Sequence, residues 1–63
     1  MQKQKEIEIN EDRFYDILFS PNHSVVEKHT EKTNFHLTSL VVDGVLKAWR
    51  EITSEGVIFR EYV

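Results

Sequence analysis

The stretch DGVLKAWREITSEG, from Asp43 to Gly56, decides the fold because it fits two incompatible structures. As a helix, it would be capped by Asp43 and stopped by Gly56. Its apolar residues would then share one face: Val45, Ala48, Trp49 and Ile52. As a strand between two turns, the same residues would be divided between the two faces of a sheet.

The surrounding residues favour the strand. After Pro21 the chain contains four runs rich in β-branched and aromatic residues, SVVEKHT, NFHLTSLVV, VLKAWREIT and VIFREYV, separated by three polar breaks. The second break, Asp43-Gly44, is a strong hairpin signal because both residues tolerate the positive φ of a type I′ turn. We therefore predict four antiparallel strands joined by short turns. The alternative is that residues 44-54 form a second helix, which good helix formers such as Leu46, Ala48 and Arg50 would support.

Two-residue loops at Asp43-Gly44 and Glu55-Gly56 predict a pairing register. The pairs across the first loop are Val42 with Val45, Val41 with Leu46, Thr38 with Trp49, His36 with Glu51, and Phe35 with Ile52. The pairs across the second loop are Ile52 with Phe59, Glu51 with Arg60, Arg50 with Glu61, and Trp49 with Tyr62. Across the second loop both charged pairs are opposite in sign and two aromatic residues meet. Each such pair contributes about 0.2 to 1 kcal/mol.

The segment before the loop at Pro21 predicts a strand and a helix. KEIEI, from Lys5 to Ile9, alternates polar and apolar residues as a half-buried strand does. Asn10 then suits a helix N-cap, and the helix should end near Ser20. Its apolar residues share one face: Phe14, Ile17 and Leu18. The predicted fold class is α+β, with a short N-terminal strand and helix followed by a four-stranded antiparallel β-meander, and with the helix packed on one face.

The predicted register divides the sheet residues between two faces. The face under the helix would carry Phe35, Leu37, Val41, Leu46, Ala48, Ile52, Val57, Phe59 and Val63, interrupted by Ser39, Arg50 and Glu61. The opposite face would carry His36, Thr38, Leu40, Val42, Val45, Lys47, Trp49, Glu51, Ile58, Arg60 and Tyr62. Because one helix cannot cover both sides of a sheet, this second apolar and aromatic face should meet a partner.

Composition excludes several classes of protein. A chain of 63 residues predicts one domain, 1–63, that buries only about 60% of its unfolded surface, so association with a partner would help to stabilise it. There is no cysteine, which excludes disulfides and thiolate zinc sites and is compatible with a cytoplasmic location. The net charge of -3 comes from interspersed residues without a basic stripe, so nucleic-acid binding is not expected. No apolar run approaches the ~20 residues of a membrane span.

Catalytic and metal-binding patterns are also missing from the sequence. His23, His29 and His36 are six and seven residues apart, which matches no compact metal-ligand motif. Ser24 follows His23 directly, but neither a nucleophile elbow nor a glycine-rich loop accompanies it. We expect no catalytic residues, no metal and no cofactor, and we expect that the protein is not an enzyme.

The face opposite the helix supplies the candidate binding residues. They are Trp49, Tyr62, Arg60, Lys47, His36 and Glu51. The first hypothesis is a non-catalytic, homo-oligomeric inhibitor or regulator that binds a protein target through this face, since Trp, Tyr and Arg are common interface anchors. By analogy, such a chain suits the small proteins with which phages and mobile elements block host systems. The second hypothesis is a protein that sequesters an anionic or nucleotide-like ligand between subunits by stacking on Trp49 or Tyr62.

Overall fold

The computed structural model describes residues 4–63, which form one helix and one antiparallel sheet. The elements in chain order are β1 (Glu6–Ile9), α1 (Glu11–Leu18), β2 (Val25–Lys32), β3 (Phe35–Val42), β4 (Val45–Thr53) and β5 (Gly56–Tyr62). The stretch that was open to two interpretations is therefore a strand, β4, followed by a turn. The helical alternative for residues 44-54 is wrong.

The sheet has five strands in the order β1-β5-β4-β3-β2. The predicted α+β class, with one helix against an antiparallel sheet, is confirmed. The sheet has one strand more than the four predicted. The fifth is β1, which pairs antiparallel with β5 and sets Ile9 opposite Phe59. The sheet therefore begins with the first strand of the chain beside the last.

Local capping chemistry fixes the start of α1. The Asn10 side chain accepts a hydrogen bond from the backbone N–H of Arg13 at 2.9 Å, which satisfies one of the free donors of the first turn. Phe14 and Ile17 are buried and Leu18 is partly buried against the sheet. The predicted cap and the predicted apolar face of the helix are both confirmed.

The Asp43-Gly44 hairpin forms as predicted, but a β-bulge follows it. Asp43 has φ 51° and Gly44 has φ 85°, and Val42 pairs with Val45. The register then shifts by one residue, because Val41 pairs with Leu46 while Leu40 pairs with Ala48. Lys47 is the extra residue that opposes no partner of its own.

Beyond the bulge, every predicted β3–β4 pair is displaced by one residue. Thr38 pairs with Arg50, His36 with Ile52 and Phe35 with Thr53, whereas Trp49 pairs with Ser39. A shift of one residue turns the side chains of one strand to the other face relative to its neighbour. The bulge therefore moves β3 residues between the core and the exposed face.

The second hairpin also differs from its predicted register. The turn residues are Ser54 and Glu55, and Gly56 begins β5 with φ 138°. The partners are Ile52 with Val57, Glu51 with Ile58, Arg50 with Phe59, Trp49 with Arg60 and Ala48 with Glu61. This displacement is by two residues, so the β4 residues from Ala48 to Thr53 still share a face with the β5 residues predicted for them. Leu46 and Lys47, which lie before and at the bulge, do not.

The core lies between α1 and the sheet. Its buried members are Phe14, Ile17, Leu40 and Ala48, with Ile9, Tyr15, Leu18, Val25, Val42 and Phe59 packed around them. The placement of Leu40 and Val42 on the uncovered face was therefore wrong. Phe35, Leu37 and Val41, which were predicted beneath the helix, alternate with Leu40 and lie on the sheet face turned away from α1. That face is called the outer face below.

Gly44 provides a direct test of the hairpin. Its φ of 85° is unfavourable for residues with a side chain, although open space surrounds the position of a Cβ atom. Gly44→Ala should lower the free energy of unfolding by about 1 kcal/mol, whereas Gly44→Asn should have a smaller effect because Asn tolerates this conformation. Urea denaturation of both variants checks this. Equal losses in the two would contradict a backbone origin.

Within residues 4–63, the structure contains no helix that is long and apolar enough to cross a membrane.

Candidate binding surface

An open cavity of about 340 Å³ occupies the centre of the outer face. It is lined by Glu6, Leu37, Ser39, Leu46, Trp49, Glu51, Arg60 and Tyr62. Four of the six predicted site residues are in this set: Trp49, Tyr62, Arg60 and Glu51. Strand alternation explains the grouping, because Ser39, Trp49 and Arg60 are neighbours across three adjacent strands.

Trp49 lies on the outer face but is nearly covered by its neighbours. Its exposed fraction is 9%, and its ring centroid is 4.9 Å from that of Tyr62, with the two planes at 55°. A stacking ligand needs a free aromatic face, which a ring this buried does not offer. Trp49 therefore forms the floor of the cavity, and Tyr62 forms part of its wall.

The charges around the cavity carry both signs. Arg60 Nη1 is 3.2 Å from Glu6 Oε1, which forms an ion pair between β5 and β1. Glu51 forms no ion pair with any residue in the described range 4–63. Two carboxylates and one guanidinium line the cavity, so its lining has a formal charge of -1. This balance does not favour an anionic ligand.

The bulge places Lys47, the fifth predicted site residue, on the helix-bearing face. Lys47 Nζ is 3.2 Å from Glu61 Oε2 and also donates a hydrogen bond to the backbone carbonyl of Tyr62. It lines a cavity of about 280 Å³ together with Arg13 and Ile17 of α1. Its predicted position beside Trp49 was wrong because the unpaired bulge residue leaves the regular alternation.

His36, the sixth predicted site residue, also lies on the helix-bearing face. It pairs with Ile52 across β3 and β4 and with Glu31 across β2 and β3. Its Nε2 is 3.8 Å from Glu31 Oε1. The cause is again the register shift, and His36 is separated by the sheet from the outer cavity.

Each histidine lies beside a carboxylate rather than beside another histidine. His23 Nδ1 is 2.7 Å from Asp43 Oδ2, and His29 Nε2 is 3.2 Å from Glu27 Oε2. The backbone N–H of Ser24 donates to Asp43 at 3.0 Å, and this bond, followed by that from His23, lowers the pKa of Asp43. In the part of the chain that the structure describes, no three His, Asp or Glu side chains are grouped so that they could hold a metal ion.

Sequence reasoning missed a buried carboxylate between α1 and the sheet. Glu61 is 3% exposed and accepts from Arg13 Nε at 2.8 Å and Arg13 Nη2 at 3.2 Å, with Lys47 Nζ at 3.2 Å. The hydrogen bond from Arg13, and then that from Lys47, lowers the pKa of Glu61 against the opposing effect of burial. The sequence does contain a signal, because Arg13 is four residues before Ile17 and so shares the sheet-facing side of α1.

Fold and surface together define a class of protein. The chain is a small two-layer α+β domain whose single helix covers one face of the sheet and leaves an aromatic, mixed-charge cavity on the other. A family model gives the more particular assignment, since residues 1–63 match the Phage T4 Cef protein family, and the chain belongs to that family. It is thus a small protein of a phage family. Neither a curated protein nor a solved structure matches it.

Proposed function

We propose that this protein is a non-catalytic, stoichiometric binding protein that pairs with a second copy through the outer face and holds a protein target along the rim of that interface. The observation that carries the proposal is the position of α1, which covers only the opposite face of the sheet. Aliphatic side chains on the outer face are thereby left without cover from any residue in the range 4–63, including Leu46 at 40% and Ile58 at 37% exposure. Such a surface is typical of an interaction site.

The dimensions of the domain support pairing through this face. The two larger extents of the domain, 33 Å and 25 Å, define a rectangle of about 825 Å². A standard protein interface buries about 800 Å² on each partner. A face-to-face dimer would therefore use most of the outer face, and it would remove from water the apolar residues that α1 cannot reach.

The charges of the outer face support a second copy as the occupant. A two-fold interface must be complementary to itself, so any charges within it must include both signs on the same patch. Arg60 and Glu51 meet this condition, because both line the cavity whose floor is Trp49. In a two-fold dimer, Arg60 of one protomer can approach Glu51 of its partner while the apolar centres pack together.

The free edge of β2 is a poor alternative interface between copies. Two-fold antiparallel pairing sets residues opposite one another symmetrically about one central residue. A centre at His29 would set Glu27 opposite Glu31, and a centre one residue later would set Lys28 opposite Lys32. A centre at Lys28 would set that lysine against its own copy. Like charges directly opposite one another are destabilising, so this edge is protected from self-pairing.

The protein target is the second part of the proposal. The family match gives a phage context, in which a 63-residue chain with no grouped metal ligands among residues 4–63 can act by occupying a surface of another protein. Trp, Tyr and Arg are the residue types most enriched at energetically important interface positions, and the outer face has one of each. Trp49 lies at the floor of the cavity, so Arg60 and Tyr62 are the residues whose side chains would remain partly available to the target at the rim of the dimer.

Leu46 and Val45 provide a matched test of the outer face. Leu46→Lys adds a charge to the cavity wall, so the dimer dissociation constant should rise at least about tenfold, which corresponds to about 1.4 kcal/mol. Val45→Lys changes the adjacent residue, which is 57% exposed and points to the other face, and it should leave association unchanged. Sedimentation equilibrium and native mass spectrometry measure both variants.

A wild-type protein that stays monomeric at high micromolar concentration would contradict the dimer, as would equal dissociation of the two variants. The same pair tests the target interaction. A host protein that co-purifies with Val45→Lys but not with Leu46→Lys would support binding at the outer-face interface, and equal recovery with both would contradict it.

A further inference from the structure

Arg50 lies on the helix-bearing face at the border of the area covered by α1. It pairs with Thr38 on one side and Phe59 on the other, and its guanidinium carbon is 5.6 Å from the centre of the Phe14 ring. This cation–π contact places the guanidinium beside the core while part of the side chain remains exposed. Arg50 is therefore a partly desolvated cation.

Arg50 differs from Arg13, Lys47 and Arg60 in its hydrogen bonds. Arg13, Lys47 and Arg60 each reach a carboxylate. Within the described range 4–63, no carboxylate lies at salt-bridge distance from Arg50. Its Nη1 donates to Tyr15 Oη at 3.5 Å and its Nη2 to Thr38 Oγ1 at 3.3 Å, while Nε is inaccessible and has no acceptor. Both bonds are long and go to neutral groups.

The two hydroxyl groups that accept from Arg50 must direct their own protons elsewhere. Thr38 Oγ1 is 3.2 Å from His29 Nδ1, and the His29 ring contacts Glu27 through Nε2 at 3.2 Å. In the neutral tautomer that donates from Nε2 to Glu27, Nδ1 accepts the Thr38 proton. The Tyr15 ring is held by an edge contact with Phe14 at 5.8 Å and by stacking on Phe19 at 6.0 Å. The Tyr15 hydroxyl oxygen is therefore held beside the guanidinium.

A cluster made of a guanidinium and a phenolic hydroxyl group offers several N–H and O–H donors and a positive charge, but no carboxylate. Its chemical complement is an oxyanion, because carboxylate and phosphate oxygens accept charge-assisted hydrogen bonds from guanidinium N–H groups. The nearest carboxylates on β2, Glu27 and Glu31, already lie beside His29 and His36. Among residues 4–63, the charge of Arg50 is therefore without a direct counter-ion.

We propose that Arg50 and Tyr15 form a binding site for one oxyanion group, a phosphate or a carboxylate, of a small molecule. The site lies on the opposite side of the sheet from the outer cavity and does not depend on the proposed dimer. Bound oxyanion would supply the counter-ion that Arg50 lacks. Phosphate and carboxylate oxygens would accept the same hydrogen bonds from this site. Separate titrations with each anion distinguish the two ligand classes.

Heteronuclear NMR of the full chain tests the site with inorganic phosphate and with acetate, each at constant ionic strength. Saturable shifts are expected at Arg50, Tyr15 and Thr38 at millimolar phosphate, acetate or both. Arg50→Met should abolish them, and Arg50→Lys should weaken binding by about tenfold because it retains the charge but loses the planar fork. Arg60→Met, which removes a matched guanidinium from the outer face, should leave the shifts unchanged.

Circular dichroism establishes that each variant is folded before titration. Saturation with phosphate alone identifies a phosphate site, and saturation with acetate alone identifies a carboxylate site. Three results would overturn the proposal: shifts spread over all basic residues without saturation, identical titrations of wild type and Arg50→Met, or no response to either anion. If Arg50→Met does not fold, Arg50→Lys and Arg60→Met still test the site. Weaker binding in Arg50→Lys alone supports the proposal, and equal binding in the two variants contradicts it.

Discussion

Leu40→Ala should lower the free energy of unfolding by about 3 to 5 kcal/mol, the range for a fully buried leucine in a core that cannot collapse around the cavity. Leu40 is 0% exposed and packs with Phe14, Ile17 and Ala48. A domain of 63 residues has only about 3 to 9 kcal/mol of stability in total, so this single substitution should leave much of the protein unfolded. Thermal and urea denaturation followed by circular dichroism measure the loss.

Leu37→Ala is the matched control, because it removes the same atoms from the same strand. Leu37 lies on the outer face, is only partly buried and lines the open cavity, so its loss should be about 1 kcal/mol. Both variants are measured at concentrations where the protein is monomeric. A larger loss for Leu37 than for Leu40 would contradict the bulge, because a regular hairpin exchanges the positions of these two residues.

The reversed positions of Leu37 and Leu40 show which features of the fold the sequence could predict. The turn at Asp43-Gly44 and the cap at Asn10 are decided by their own residues, since positive φ and capping need particular side chains. The choice of strand over helix for Val45–Thr53 follows from the Asp43-Gly44 turn and from the β-branched residues in the neighbouring segments. Local chemistry of this kind does not depend on distant contacts.

The bulge at Lys47 has no such local signal. Lysine in a strand neither requires nor excludes an unpaired position, and the extra residue is selected by the packing that it permits. The bulge turns Leu40 and Val42 toward α1 and lets Lys47 reach Glu61. These are contacts with residues far away in the chain, so a register based on the turn alone could not include them.

The candidate surface shows the same division. Trp49, Arg60 and Tyr62 come together because the second hairpin is displaced by two residues, which preserves the face. Lys47 and His36 are absent from it because the first hairpin is displaced by one. The exposure of Trp49 could not be predicted from alternation, since alternation gives the direction of a side chain but not the area that its neighbours cover.

Glu61→Gln should lower the free energy of unfolding by roughly 2 kcal/mol at pH 7. The substitution keeps the shape of the side chain but replaces charge-assisted hydrogen bonds to Arg13 and Lys47, each of which contributes about 1.5 to 3 kcal/mol. The loss should remain below the full penalty for leaving a buried charge without a partner. The Arg13 and Lys47 side chains are 50% and 34% exposed, so water can hydrate their charges after the substitution. Urea denaturation measures it.

The effect of this substitution should depend on pH in a defined direction. Arg13 and Lys47 lower the pKa of Glu61 in the folded state from its ordinary value of 4.5. A carboxylate with a lowered pKa contributes stability that is present above pH 4.5 and is lost as the pH falls through the folded-state value. The difference between wild type and Glu61→Gln should therefore be largest near neutral pH and should shrink below about pH 4.5, because protonated Glu61 is neutral like glutamine.

Glu55→Gln supplies the control for the other carboxylates that titrate in the same range. Glu55 lies in the exposed turn before β5, and it forms no ion pair with any residue from 4 to 63, so its substitution should change stability by less than about 0.5 kcal/mol at every pH. A difference between wild type and Glu61→Gln that stays constant from pH 7 to acid would show that the carboxylate stabilises the fold through packing alone. A difference that decays on acidification would show that the negative charge on β5 is what holds Arg13, and with it α1, against the sheet.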